Sequence, residues 1–165
     1  MNKQKAYFAG GCFWGVEYYF TSLPGVSQVT SGYMGGALDH PSYQDVKSGT
    51  TGHLEVVEID FDADVVDYES LARLFFEIHD PTQINGQGVD IGSQYLSAIF
   101  YADEAQRQVA EALIKQLKRK GFEVVTRLID ATSHRFWSAE DYHQQYYGRL
   151  QKSPECHWRV KRFDV

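Results

Sequence analysis

Residues 5–20 read Lys5-Ala-Tyr-Phe-Ala-Gly10-Gly-Cys-Phe-Trp-Gly15-Val-Glu-Tyr-Tyr-Phe20. The first six residues have the look of a short strand. Val16 to Phe20 reads as a helix, and Pro24-Gly25 stops it. Cys12 therefore falls where a strand turns into a helix, close to the helix N-terminus. Unpaired N–H groups and the helix dipole at that place favour an anion, so thiolate is favoured over thiol. A free cysteine is more often an inert buried filler. The glycines on both sides supply no packing surface, which argues for a reactive thiol that wants open backbone around it.

Working outward, Leu54 to Phe61 alternates as a strand. Residues 67–79 are expected to be a helix, with Asp67 as cap, Leu71, Leu74, Phe75 and Ile78 as its apolar face, and Asp80-Pro81 as its end. Residues 81–94 are rich in glycine and polar side chains and read as a long loop. Tyr95 to Tyr101 is nearly continuous in apolar residues, as suits a central strand covered on both faces. Asp103-Glu-Ala-Gln106 resembles a capping box that opens a helix with Val109, Leu113 and Leu117 inside and Gly121 at its stop. A strand over 123–129 and a short helix over about 139–147 follow. The tail, 148–165, is read as extended coil wrapped on the body. The element order is taken as strand, helix, strand, strand, helix, strand, helix, strand. This is an α+β fold, a two-layer α/β sandwich of the split βαβ kind.

The chain has 165 residues, enough for one domain with a real core, and 1–165 is expected to form a single catalytic domain. A net charge of −6 disfavours nonspecific binding to nucleic acid or to anionic membranes. The one basic run, Lys115 to Lys120, suits the solvated C-terminal end of a helix. No apolar stretch reaches membrane-spanning length and no signal-peptide core opens the chain, so a cytoplasmic location is expected. The two cysteines are then better read as catalytic or bystander thiols than as a structural disulfide. The six histidines are scattered without metal-ligand spacing, so no metal is expected.

Glu55 shares the parity of Val57, Ile59 and Phe61 in its strand, the most apolar face. A carboxyl group placed there is expected to have a raised pKa and to act as a proton donor. The bland alternative is a strand-end glutamate in water, just after Gly52-His53. Asp90-Ile-Gly-Ser-Gln-Tyr95 gathers a carboxylate, an amide and a phenol before a buried strand, although Asp and Gly are also ordinary turn residues. Tyr43 is a further phenol in a turn-like stretch. Trp137 to Tyr146 reads as helix packing. Cys156, on the tail, has the place of a thiol that meets a distant sulfenic acid.

Together, these segments resemble the class A peptide methionine sulfoxide reductases. The stretches that carry the resemblance are Gly11-Cys-Phe-Trp-Gly15, Gly32-Tyr-Met-Gly-Gly36, Pro41-Ser-Tyr43, Gly52-His-Leu-Glu-Val56, Asp80-Pro-Thr82, Asp90-Ile-Gly-Ser-Gln-Tyr95 and Ala139-Glu-Asp-Tyr-His-Gln-Gln-Tyr146. The resemblance implies a ferredoxin-like sandwich with long loops and an extended C-terminal coil. It implies Cys12 as the nucleophile on the sulfoxide sulfur and Glu55 as the acid on its oxygen. Tyr43 and Tyr95 would donate hydrogen bonds to that oxygen, and Asp90 would order the thiol's surroundings. Phe13 and Trp14 would form the apolar wall that receives the methyl group. A sulfenic acid on Cys12 would pass to a disulfide with Cys156, which thioredoxin or another dithiol reduces. The implied substrates are the S-sulfoxides of oxidised proteins and peptides and free methionine sulfoxide. No cofactor is implied, and the protein is expected to be a monomer.

Three positions depart from the family's pattern. Leu96 replaces an arginine, Lys47-Ser-Gly49 lacks a cysteine that many members carry, and Pro154-Glu-Cys-His157 replaces a Gly-Tyr-Cys tail. Should Cys156 not resolve the sulfenic acid, a small external thiol would do so directly. Two rival activities are weighed. A thiol peroxidase has no need of the Phe13-Trp14 wall, and a module that binds oxidised methionine without turnover has no need of both Cys12 and Glu55.

Overall fold

A computed structural model of the chain describes residues 1–154 and 157–163. Cys156 lies outside the described residues. Eight strands and five helices follow one another as β1 (Lys3–Ala9), α1 (Phe13–Thr21), β2 (Val26–Met34), α2 (Tyr43–Lys47), β3 (Leu54–Asp62), α3 (Tyr68–Ile78), β4 (Gly86–Gln87), β5 (Asp90–Ile91), β6 (Ala98–Tyr101), α4 (Glu104–Arg119), β7 (Arg127–Asp130), β8 (Trp137–Ser138) and α5 (Tyr146–Leu150).

Six strands form one sheet in the order β7-β6-β1-β3-β2-β8. β1 runs antiparallel to both β3 and β6, and β2 runs antiparallel to β3. Each crossover helix thus joins two strands with a third between them: α1 links β1 to β2 around β3, and α3 links β3 to β6 around β1. That is the split βαβ arrangement and the ferredoxin-like sandwich. β7 extends the sheet in parallel beside β6 after α4, while β8 closes the opposite edge against β2.

The two faces of the sheet are covered differently. Ala6, Phe8, Val57, Ile59, Phe61 and Ile99 point to the helices, where Phe13, Val16 and Phe20 of α1, Leu71 and Phe75 of α3, and Leu113 and Leu117 of α4 complete the main core. Phe8 stacks on Phe20 at 5.4 Å and on Phe75 at 4.9 Å. Burying each such ring contributes about 1.5–3 kcal/mol. Ala9, Met34, Leu54, Val56, Ala98 and Phe100 face the other way, into a smaller core closed by Leu96, Ile129, Ala131 and Phe136. The period-two alternation of β3 therefore holds, but both of its faces are covered.

Helix ends follow side-chain capping. Asp67 accepts the Ser70 N–H at 2.8 Å, and Asp103 accepts the Gln106 N–H at 2.9 Å. The reciprocal half of the expected capping box at Asp103 is absent. The Gln106 amide instead accepts from the Ala102 N–H and donates to the Lys5 carbonyl, tying α4 to β1.

Several expectations need correction. β2 has no place in the residue-by-residue reading, although the element order counts an extra strand. The strand expected at 95–101 begins only at Ala98, because Ser93–Tyr95 makes one 3₁₀ turn. The strand expected over 123–129 is confined to Arg127–Asp130. The loop 81–94 contains a two-strand hairpin, β4 with β5, turning at Gly88. No single helix spans 139–147: a 3₁₀ turn at Asp141–His143 is separated from α5 by Gln145, whose φ of 54° is left-handed. α5 also takes in 148–150, which the sequence places in the coil tail.

Candidate active site

Gly11 makes the turn between β1 and α1. Its φ of 93° is left-handed, and a Cβ there would lie 2.6 Å from Cβ of Gln87. Cys12 follows as the residue that precedes the first turn of α1, and its carbonyl accepts the Gly15 and Val16 N–H groups. The half-buried thiol thus stands at the helix N-terminus, where anions are favoured.

Glu55 approaches the same turn from β3. It is 3% exposed, and its Oε1 accepts the N–H of Phe13, the residue next to Cys12, at 3.2 Å. A carboxyl group buried to this degree carries charge only at a cost. The sequence puts it there through strand parity and through His53, which sets the start of β3. His53 Nε2–H donates to the Leu38 carbonyl at 2.7 Å, and Nδ1 accepts the Gly36 N–H at 3.0 Å.

Two phenols complete the corner. Tyr43 opens α2, with Ser42 as its cap, and Tyr95 ends the 3₁₀ turn before β6. Both phenols lie in the field of Glu55 and Cys12. Burial raises the Tyr43 pKa, and the charges of Glu55 and Cys12 raise it further. Tyr95 is pushed up by burial first, then by Glu55, Tyr43, Asp90 and Cys12. Each phenol therefore keeps its proton and can donate it in a hydrogen bond. Cys12, Glu55, Tyr43, Tyr95 and Asp90, read from four separate segments, meet at one corner of the sheet.

Phe13 and Trp14 divide in their roles. Phe13 is fully buried in the main core and packs on Tyr33 and His143. Trp14 is half-buried and stacks flat on Tyr146 at 3.8 Å. Its indole N–H donates to Nδ1 of His143 at 3.0 Å, so the proton of the neutral ring sits on Nε2. Burial lowers the His143 pKa, which keeps the ring neutral.

Three contributors escaped the residue-by-residue reading. Tyr33 lies opposite Glu55 in the ladder, and its hydroxyl donates to Glu140 at 2.8 Å. Glu140 also accepts the Tyr43 N–H at 2.9 Å and so fixes the start of α2. Burial pushes the Glu140 pKa up, but the donors from Tyr43 and Tyr33 outweigh it and hold the carboxyl below its usual range. His143 orients Trp14. The signal for Glu140 and His143 was present in Ala139 to Tyr146, a stretch that reads as helix packing by itself. Leu96 is half-buried against the smaller core, so no surface ion pair is made there. Among the described residues no cluster of His, Cys, Asp and Glu is arranged to hold a metal. Nor is any described helix long and apolar enough to cross a membrane.

Comparison with known proteins agrees with this geometry. The family model "Peptide methionine sulfoxide reductase" matches residues 4–164. The peptide methionine sulfoxide reductase MsrA of Chromobacterium violaceum is 49% identical over 156 residues, covering 93% of this chain and 88% of the relative. Among solved structures, reduced Mxr1 from Saccharomyces cerevisiae superposes with a TM-score of 0.84 at 28% identity, covering 96% of this chain and 92% of the yeast protein. Mxr1 in complex with Trx2 shares the fold at a TM-score of 0.61 and 21% identity, covering 96% and 90%. With a thiol at a helix start, a buried acid beside it and relatives matched over nearly their whole length, the chain belongs to the peptide methionine sulfoxide reductase family.

Proposed function

We propose that the chain reduces methionine S-sulfoxide, in peptides and as the free amino acid, with Cys12 as nucleophile and Glu55 as proton donor. The observation that carries this reading is the 3.2 Å bond from the Phe13 N–H to Glu55, which ties the buried acid to the residue next to the thiol. A sulfoxide is a poor electrophile until its oxygen receives a proton or a strong hydrogen bond. Glu55 supplies the proton, and Tyr43 and Tyr95 donate hydrogen bonds to the same oxygen. Asp90, next to Tyr95 in the field of the site, orders that phenol. Trp14, held by His143 and Tyr146, faces the methyl group on sulfur, with Phe13 as its backing.

The thiolate of Cys12 bonds to the substrate sulfur while the sulfoxide oxygen takes the proton of Glu55. The protonated oxygen then moves from that sulfur to Cys12 Sγ, the sulfur–sulfur bond breaks, and methionine leaves with the electron pair on its sulfur, so Cys12 becomes a sulfenic acid. The thiol of Cys156 then displaces that oxygen as water and forms a disulfide. A dithiol of the thioredoxin type reduces the disulfide and returns both thiols. The solved complex of the related yeast protein with Trx2 supports such a partner. No organic cofactor enters this cycle. The catalytic unit spans 1–165 as one domain with the tail 148–165 as part of it, acts as a monomer, and works in the cytoplasm.

Offering the two epimers of a blocked methionine sulfoxide to the protein with a dithiol, and following product by chromatography, tests the reading. Methionine is expected from the S epimer alone. Turnover of hydroperoxide in place of either sulfoxide overturns it.

A further inference from the structure

His157, the residue that follows Cys156, is 3% exposed and sits in a socket made by glycines on both sides of Cys12. Its Nε2 lies 2.7 Å from the Gly10 carbonyl oxygen, which can only accept, so Nε2–H is the donor and Nδ1 carries the lone pair. Nδ1 rests on Gly15: a Cβ built there would come within 2.3 Å of it, and one at Gly11 would lie 3.5 Å from Nε2. Gly15 is inside α1, where glycine costs roughly 1 kcal/mol relative to alanine. No left-handed φ requires glycine at this position. What requires it is the imidazole of the tail.

The chain beyond His157 is fastened as well. Tyr19 donates to the His157 carbonyl at 3.2 Å. Arg159 donates twice to Oε1 of buried Glu77, at 3.0 and 2.8 Å, and the Val160 N–H donates to the Glu77 carbonyl at 2.7 Å. The tail is thus clamped to the end of α3 and to the turn that carries Cys12. Cys156 directly precedes His157 in the sequence. Bringing two sulfurs from opposite ends of the chain together is otherwise limited by loop closure.

We propose that His157 is a positioning residue for the second half of the reaction: docked on Gly10 and Gly15, it fastens the tail to the Cys12 turn, which shortens the search by which a resolving tail thiol meets the sulfenic acid. The proposal rests on Cys156 as the resolving thiol. In the step it serves, a sulfur–sulfur bond forms between Cys12 and Cys156, the sulfenic S–O bond breaks, and the Cys156 proton leaves with that oxygen as water.

The test separates the two half-reactions in the full-length protein. Without reductant, methionine formed per enzyme in a single turnover reports the first step, and loss of titratable thiols in quenched samples reports the second. His157→Ala is expected to form methionine at the wild-type rate but to form the disulfide about tenfold more slowly or worse. His157→Gln, which keeps a donor for the Gly10 carbonyl, is expected to regain part of that rate. Gly15→Ala, which fills the socket, is expected to slow the same step, with no further loss when combined with His157→Ala. A purely structural role would lower the melting temperature of His157→Ala and slow both steps together, and that result overturns the proposal. A wild-type disulfide rate in His157→Ala also overturns it, provided Cys156→Ser cannot be recycled by thioredoxin. Full thioredoxin-driven recycling in Cys156→Ser removes the resolving role of the tail, and the positioning role with it.

Discussion

Glu55 and Glu77 are equally buried, each 3% exposed, yet one stands beside the Cys12 turn and the other in the tail clamp. Glu77 meets a cation and a backbone donor: the Arg159 guanidinium grips Oε1 through two N–H groups, and the Arg162 backbone N–H reaches Oε2 at 3.1 Å. Around Glu55 are a backbone N–H, two phenols and a thiol. An arginine that donates twice to a carboxylate fixes it in one geometry, which suits fastening. Phenols and a half-buried thiol leave a carboxyl group able to gain and lose a proton, which suits catalysis. Burial alone does not distinguish the two; the identity of the neighbours does.

The largest effect expected is at the thiol that only one of these regions contains. Cys12→Ser should lower methionine formation about 10⁴-fold or more, measured over many hours by chromatography. Next comes the same change made at each glutamate. Glu55→Gln should lower the single-turnover rate about 10³-fold while the melting temperature stays near that of wild type. Glu77→Gln should leave that rate within about twofold and destabilise the fold by about 2–3 kcal/mol in urea unfolding, because it removes the charged partner of Arg159. If both variants lose activity and stability alike, the division of labour between the two glutamates is wrong. Sharper still are the phenols. Tyr43→Phe and Tyr95→Phe should each cost about 10- to 100-fold in the same rate, and the double variant less than the product, since the two hydroxyls serve the same substrate oxygen.

Sequence pattern reached the Cys12 corner better than its supports. Cys12 and Glu55 were legible because each is out of keeping with its surroundings: a thiol among glycines, and an acid with the parity of an apolar face. The fold was legible in α3 and α4, whose apolar spacing and aspartate caps agree with each other. β2 was not, because Val26-Ser-Gln-Val-Thr-Ser-Gly-Tyr-Met34 starts exposed and ends covered on both faces, so no single alternation runs through it. The helix expected over 139–147 fails for a tertiary reason. The Gln144 side chain donates to the Ser31 and Ala139 carbonyls and accepts the Ser31 N–H, completing the edge of β2 and forcing Gln145 into a left-handed turn. Glu140 and His143 act through partners about a hundred positions or more upstream, Tyr33 and Tyr43 for the one and Trp14 for the other, and no local pattern announces such a pairing.

A third buried glutamate sets the smallest effect and refines the contrast. Glu17 lies in α1, accepts the Ser31 hydroxyl at 3.0 Å, and sits in the field of the Gln145 and Tyr146 N–H groups at the start of α5. Burial pushes its pKa up to about 7, against the pull of those donors and of Arg149. Its ordinary value is 4.5, so between 4.5 and about 7 the folded protein keeps a proton that the unfolded chain has lost. Fewer protons bound in the unfolded state mean that stability falls as pH rises through that window, and levels off above it. Wild-type unfolding free energy should therefore drop by about 1–2 kcal/mol between about pH 5 and pH 7 from this group, and Glu17→Gln should lack that drop. Urea titrations of both proteins across the window measure it. Parallel curves would mean that Glu17 stays charged in the folded protein. Curves that converge at low pH and part at high pH would place Glu17 with the carboxyl groups whose proton the fold retains.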